Sequence, residues 1–242
     1  MDYQNDFEIN EQTAAIITQF HSNYYLRINQ RRQEHLATLG LPLRERTVWE
    51  VSAGIGDHTT FFLDRRCQVT TSDVRPELVE LLRHRYPHVP AHLIDLDSPP
   101  ADFGEQFEVV YAYGVLYHLS RPVPALEYMA SHCQGMLLLE TCVGFGEDWA
   151  ENPVEEPAWS ASQAKGGIGC RPTRMLVWTA LQRLFPYVYC PKTQPVHEQF
   201  PLDWTKPWRS EELRRAIFIA SHERLSLPTL ELELPTRQEA QT

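Results

Sequence analysis

Apolar residues at helical spacing open the chain. Ala14, Ile16, Ile17, Phe20, Tyr24, Leu26 and Ile28, then Leu36 and Leu39, predict one or two leading helices that end at Gly40 and Pro42. The period then shortens. Residues 47–51 are a short apolar run between charge and Ser-Ala-Gly, which predicts a buried strand followed by a glycine turn and a helix at 57–66. The alternation continues with a strand at 68–72, a helix at 76–86 with proline in its first turn, and a strand at 92–94. A strand at 107–113, a helix at 122–132 and a strand at 135–143 complete it; the run Met136-Leu137-Leu138-Leu139 has to be buried. Strands alternating with helices imply right-handed crossovers, a mostly parallel sheet and an α/β fold class.

After Gly144 the pattern dissolves. Residues 147–169 hold Glu-Asp-Trp, two prolines and Lys-Gly-Gly with no sustained period, and a loop of that length in a compact domain is expected to be functional. Helical spacing returns at 172–185, and strands are expected at 187–190 and 215–221. Between these two strands, 191–208 carries four prolines and two tryptophans. The polar tail after Ser226, with Pro228 and Pro235, is expected to run extended over the surface.

Composition narrows the classes. A chain of 242 residues, 43% hydrophobic, fits one large domain or two small ones and is neither collagen-like, coiled-coil nor disordered. Its 22 Lys and Arg against 32 Asp and Glu give a formal charge of −10, which counts against a polyanion as principal partner. Five dispersed cysteines, none in a C-x-x-C pair, suit a reducing cytosol better than a disulfide framework or zinc site. With no basic, apolar leader and no spanning run, a soluble cytoplasmic protein is expected, with no membrane partner.

The chemistry concentrates where the first strand ends, at Glu50-Val51-Ser52-Ala53-Gly54-Ile55-Gly56-Asp57. Glycines there let the backbone turn tightly and approach a ligand, while free helix N–H groups point at it. A dinucleotide fingerprint needs G-x-G-x-x-G; counted from Gly54 the third position is Thr59, and counted from Ser52 both end positions fail. Asp73, at the end of the second strand, can accept hydrogen bonds from ribose hydroxyls or cap the next helix, and Asp95 follows the third strand in the same way.

These pieces, with Tyr113-Gly114-Val115-Leu116-Tyr117-His118-Leu119 after the fourth strand, resemble the class I S-adenosylmethionine-dependent methyltransferases over about residues 47–143. The resemblance implies a Rossmann-like fold with an antiparallel terminal strand, S-adenosyl-L-methionine as cofactor and S-adenosyl-L-homocysteine as product. By it, Glu50 with the backbone of Ser52, Ala53, Gly54 and Gly56 would hold the methionine part. Asp73 would take the ribose with Val74 against the adenine, Asp95 and Leu96 would lie at the adenine edge, and Gly114 would offer backbone near the donor amine. Ser52 departs from the family's first glycine, tolerable if its φ is negative.

Two residues are candidates for proton removal. His118 could take a proton from the acceptor or hydrogen-bond backbone beneath the cofactor; Glu140, ending the fifth strand, is the alternative base or a charge turned to solvent. His58, after the glycine turn, could touch the methionine carboxylate or merely begin the helix. On the acceptor side, Arg171 and Arg174 open a helix as an anion-reading pair or pair with surface carboxylates. His197, Glu198 and Trp204 lie in an irregular polar and aromatic segment read as a ligand wall, and Tyr24, with Tyr25 and Arg31, in a lid. No metal is expected. The expected organisation is one domain: a helical lid at 1–42, a cofactor core at 47–143, a substrate-side insertion at 144–212, and a final strand and tail at 213–242. The expected reaction is O- or N-methylation of a small molecule or sugar, with an RNA or nucleobase methyltransferase and a non-catalytic S-adenosylmethionine-binding protein as alternatives.

Overall fold

The computed structural model describes residues 10–101, 103–209 and 211–241; residues 1–9 of the expected lid lie outside the described residues. Two helices lead, α1 (Glu11–Phe20), whose Asn10 side chain accepts from Thr13 N, and α2 (Asn23–Thr38). The alternating core follows as β1 (Thr47–Glu50), α3 (Thr59–Leu63), β2 (Gln68–Asp73), α4 (Pro76–Arg85), β3 (Ala91–Leu93) and β4 (Phe107–Tyr113). A 3-10 turn at Leu116–His118 leads to α5 (Pro122–Ser131) and β5 (Cys133–Cys142).

The aperiodic segment has structure of its own: β6 (Pro153–Glu155) and β7 (Ile168–Cys170) pair antiparallel, which the lack of periodicity concealed. Then come α6 (Arg174–Leu184), β8 (Tyr187–Pro191), β9 (Thr193–Gln194), β10 (Arg215–Ser221), β11 (Leu230–Glu231) and β12 (Glu239–Ala240). The tail is therefore not merely extended over the surface. Its β11 pairs with β8 at the sheet edge and β12 pairs with β9, because unpaired strand edges recruit nearby backbone.

The main sheet has eight strands in the order β11-β8-β10-β5-β4-β1-β2-β3. Pairings from β3 through β5 are parallel, and β10 runs antiparallel between β5 and β8. Both faces of the central strands are covered, so β4 and β5 read as continuous apolar runs. One core layer gathers Trp49, Leu126, Leu137 and Leu181, and the other Ile28, Phe62, Leu138 and Ile219. The predicted helix at 57–66 shrinks to five helical residues flanked by turns. All five cysteines are free and buried. Among the described residues no helix is long and apolar enough to cross a membrane.

Candidate functional site

Strand order reverses direction between β1 and β4, and at such a switch point the loops after adjacent strands part and leave a crevice at the carboxyl ends. A cavity with an empty volume of about 1300 Å³, mouth included, occupies it. Glu50, Asp73 and Asp95 line it from the ends of β1, β2 and the chain after β3, with Ser52, Ala53, Gly54, Val74, Leu96 and Gly114.

The turn after β1 is tight because three of its residues adopt positive φ: Ser52 at 50°, Gly54 at 59° and Gly56 at 79°. Ser52 thus takes the left-handed conformation and not the negative φ under which a turn readily tolerates a non-glycine residue; a small polar side chain accepts that region at some cost. Gly54 N donates to Asp73 Oδ2 at 3.0 Å, and a Cβ on Gly54 would come within 2.9 Å of the Phe20 ring from α1. Gly56 does not line the cavity. Its missing Cβ instead lets α4 approach, since one there would lie 2.6 Å from Tyr86 and 2.9 Å from Leu82.

The end of the cavity beside β1, β2 and β3 gathers carboxyl groups. Asp73 Oδ1 accepts from Arg75 N at 3.1 Å, and burial pushes this carboxyl up to about 6 against the pull of the Arg75 and Gly54 N–H groups. Burial likewise pushes Glu50 up to about 8, although the Thr59 hydroxyl donates to it at 2.6 Å. Asp95 accepts from Asp97 N at 3.0 Å. His58 bonds Tyr111 Oη through Nδ1 at 2.6 Å, and burial lowers it to about 3, so it stands neutral in the cavity wall. Its Nε2 and the Tyr113 hydroxyl are buried without a hydrogen-bond partner among the described residues, and both residues line the cavity. Buried acids that lower their charge cost by meeting a cation and hydroxyl donors fit a ribose and an ammonium and would repel a pyrophosphate.

His118 also lines the cavity. Its Nδ1 lies 2.5 Å from Glu156 Oε2, so the ring bonds a carboxylate and not the backbone. Glu156 further accepts from Ala164 N at 2.9 Å and from Arg171 Nη1 and Nη2, each at 3.2 Å. Burial raises the Glu156 carboxyl, but the His118 hydrogen bond and charge outweigh it and leave it below its ordinary value. An ionised carboxylate only accepts, so Nδ1 carries the proton and Nε2 keeps its lone pair.

Glu140 is neither base nor solvent-facing: it is fully buried behind the wall, accepting from Arg32 Nη2 at 2.7 Å and Arg215 Nη1 at 3.0 Å. Two guanidiniums occupy the oxygens a proton would need. The other acceptor-side candidates are also displaced. Arg171 is tied to Glu156, while Arg174 donates to Pro235 O and stacks on Trp204, so neither lines the cavity. Tyr24 bonds Gln199, Arg31 pairs with Glu34 and exposed Glu198 pairs with Arg27; these, His197 and Trp204 lie off the cavity wall. The wall is made by Tyr25 and Arg32 of α2, Tyr117, Arg215 and strap residues 161–166. Arg75 Nη2 holds that strap by donating to the carbonyls of Ala158, Ser160 and Gln163 at 2.8, 2.9 and 3.2 Å. Among the described residues no group of three or more His, Cys, Asp and Glu side chains could hold a metal ion.

A family profile described as "Methyltransferase domain" matches residues 49–134. The tRNA U34 carboxymethyltransferase of Shewanella putrefaciens is 33% identical over 137 residues, covering 52% of this chain and 38% of that protein. The Pseudoalteromonas translucida protein of the same name is 30% identical over 122 residues, covering 48% and 37%. The chain thus spans under two fifths of the length of these relatives. Among solved structures, the N-terminal domain of EvdMO1 with SAH and D-fucose superposes with a TM-score of 0.61 at 17% identity, covering 83% of this chain and 84% of that one. An S-adenosylmethionine-dependent methyltransferase from Mesorhizobium loti follows the same fold at a TM-score of 0.56 and 15% identity, covering 79% and 97%. The methyltransferase profile thus falls on the core strands of this sheet, and the strand order is that of the Rossmann-like fold seen in class I S-adenosylmethionine-dependent methyltransferases.

Proposed function

We propose that the protein binds S-adenosylmethionine and transfers its methyl group to a hydroxyl or amine of a small molecule or sugar. The observation that carries this reading is His118, fixed by Glu156 as a cavity-lining imidazole with Nε2 open to accept a proton. S-adenosylmethionine supplies a methyl on a sulfonium centre, which makes the transfer an in-line displacement governed by positioning. Asp73 is proposed to receive the ribose hydroxyls, Glu50 and the Ser52–Gly54 backbone the methionine end, and Val74 and Leu96 the base. Arg75 keeps the strap over the cavity and so keeps water out. As the acceptor's bond to the methyl carbon forms, the carbon–sulfur bond breaks with its electron pair left on sulfur, the acceptor's proton passes to His118 Nε2, and the charge so created on the ring is stabilised by Glu156.

Calorimetric titration with S-adenosylhomocysteine against NAD tests the donor site. The reading expects binding of the former alone and its loss in Asp73→Ala; absence of binding ends it, and binding that survives the substitution removes the ribose role of Asp73. A mass-spectrometric acceptor screen comparing wild type with His118→Ala then tests the base, with turnover expected to fall by roughly 100-fold or more.

A second reading rests on the relatives named for tRNA: the acceptor is a nucleic acid. The charge of −10 weighs against it, since phosphate backbones call for clustered cations. Label from methyl-tritiated donor appearing in bulk tRNA, and in no small acceptor, would decide for it.

A further inference from the structure

The cavity wall gathers carboxyl groups at one end and guanidiniums at the other. Beside β1, β2 and β3 the wall holds Glu50, Asp73 and Asp95; across β4 and β5 it holds Arg32 from α2 and Arg215 from the start of β10, 5% and 3% exposed. These two guanidiniums share a single carboxylate, that of Glu140, at 2.7 and 3.0 Å. Two buried cations against one buried anion leave an excess of one positive charge.

Among the described residues nothing in contact with the pair neutralises that excess. The other donors of Arg215 go to uncharged acceptors, Nε to Gln199 Oε1 at 2.7 Å and Nη2 to Tyr117 Oη at 3.1 Å. Arg32 Nη1 donates to Asn29 Oδ1 at 3.0 Å, and its buried Nε has no partner among the described residues. Burial holds the phenols of Tyr111, Tyr113 and Tyr117 well above their ordinary range and pushes the Cys142 thiol up to about 11, so none becomes an anion near neutral pH. An uncompensated charge away from water is costly, and a cavity wall is where a ligand can supply the missing opposite charge. Tyr117 links this cluster to the reacting end: its hydroxyl meets Arg215, and its ring centroid is 4.0 Å from that of His118.

We propose that Arg32, Glu140 and Arg215 form an anion subsite, and that the acceptor of the reaction proposed above carries a carboxylate held by the two guanidiniums while its nucleophile faces His118. The inference rests on that reading of the cavity. The competing source of a carboxylate is the methionine end of the donor.

The test uses the full chain, first saturated with S-adenosylhomocysteine, then titrated calorimetrically with benzoate and, as the uncharged counterpart, benzamide. Benzoate is expected to bind at least tenfold more tightly than benzamide. Arg215→Gln is expected to cut benzoate affinity at least tenfold and to leave S-adenosylhomocysteine affinity within about twofold. Glu140→Gln, which raises the excess to two charges, is expected to strengthen benzoate binding. Equal binding of the two probes, or no binding of benzoate, overturns the inference, and that comparison needs no variant to fold. So does an Arg215→Gln protein that loses S-adenosylhomocysteine and keeps benzoate, since the pair would then serve the donor. If wild type does not bind S-adenosylhomocysteine, the donor reading fails instead, and benzoate selectivity of the unliganded protein still decides the anion subsite.

Discussion

His118 Nδ1 and Glu156 Oε2 stand 2.5 Å apart, joining the turn after β4 to the strap that covers the cavity. The pair sets both the tautomer of the ring and the seat of the strap, because the same carboxylate oxygen accepts from Ala164 N. Burial lowers the pKa of His118, and the hydrogen bond and charge of Glu156 oppose that fall. In Glu156→Gln only the lowering influence of burial and nearby cations remains. The ring should then titrate lower than in the wild type. An NMR pH titration of the His118 ring reads this directly, and an unchanged or raised midpoint would contradict it.

Arg75 clasps the strap through three carbonyls, those of Ala158, Ser160 and Gln163. A buried guanidinium on neutral acceptors contributes about 1.5–3 kcal/mol per good bond, and its loss leaves those carbonyls to water. Arg75→Ala is expected to raise amide hydrogen exchange across 158–166 and to weaken S-adenosylhomocysteine by roughly tenfold, the equivalent of about 1.4 kcal/mol. Unaltered exchange in the strap would show that the clasp does not hold it.

Glu50 gives the fold a signed pH dependence. Burial raises its folded value to about 8 from an ordinary 4.5, so the folded state binds the proton more tightly than the unfolded state. The stability this contributes is complete below about 4.5 and is lost as pH rises through about 8. Glu50→Gln lacks that loss. Its melting temperature relative to wild type should therefore climb between those two pH values and level off above, by up to roughly 3–5 kcal/mol in stability terms. A difference that stays constant, or shrinks with pH, would count against a buried protonated Glu50.

Ser52 holds a φ of 50°, a conformation glycine adopts without strain. Ser52→Gly is expected to stabilise the protein by roughly 0.5–1 kcal/mol, and Ser52→Val to destabilise it by more. Urea denaturation of the two variants measures both; a less stable glycine variant would mean that the serine side chain makes a compensating contact.

Much of the core was legible along the chain. The strand-helix alternation from 47 to 143 appears as predicted, with boundaries shifted by a residue or two except at α3, which is much shorter. Asp73 and Asp95 reach the cavity because strand ends of a parallel sheet share one edge, and the order of acids along the chain becomes an order in space. Of the three residues expected in the lid, Tyr25 lines the cavity while Tyr24 turns to Gln199 and Arg31 to Glu34; neighbouring positions differ by about 100° on a helix, which apolar spacing alone does not resolve.

The remainder of the site depended on residues distant in sequence. Glu140 reads as a candidate base only while its neighbours are unknown; Arg32 and Arg215, 108 and 75 residues away, turn it into a bridging counter-ion. One signal was available, an arginine opening the otherwise apolar strand Arg215–Ser221, since a charge at that position needs a buried partner. Glu156 had no such signal, lying in a segment without period. The sequence by itself determined the α/β class, the glycine turn and the carboxyl groups that line the cavity from the strand ends, because these follow from local period and from position at a strand terminus. The tertiary structure alone decided the partner of His118, the charge of the far wall and which arginines reach it, because side chains dozens of residues apart meet only through sheet register and the path of the strap.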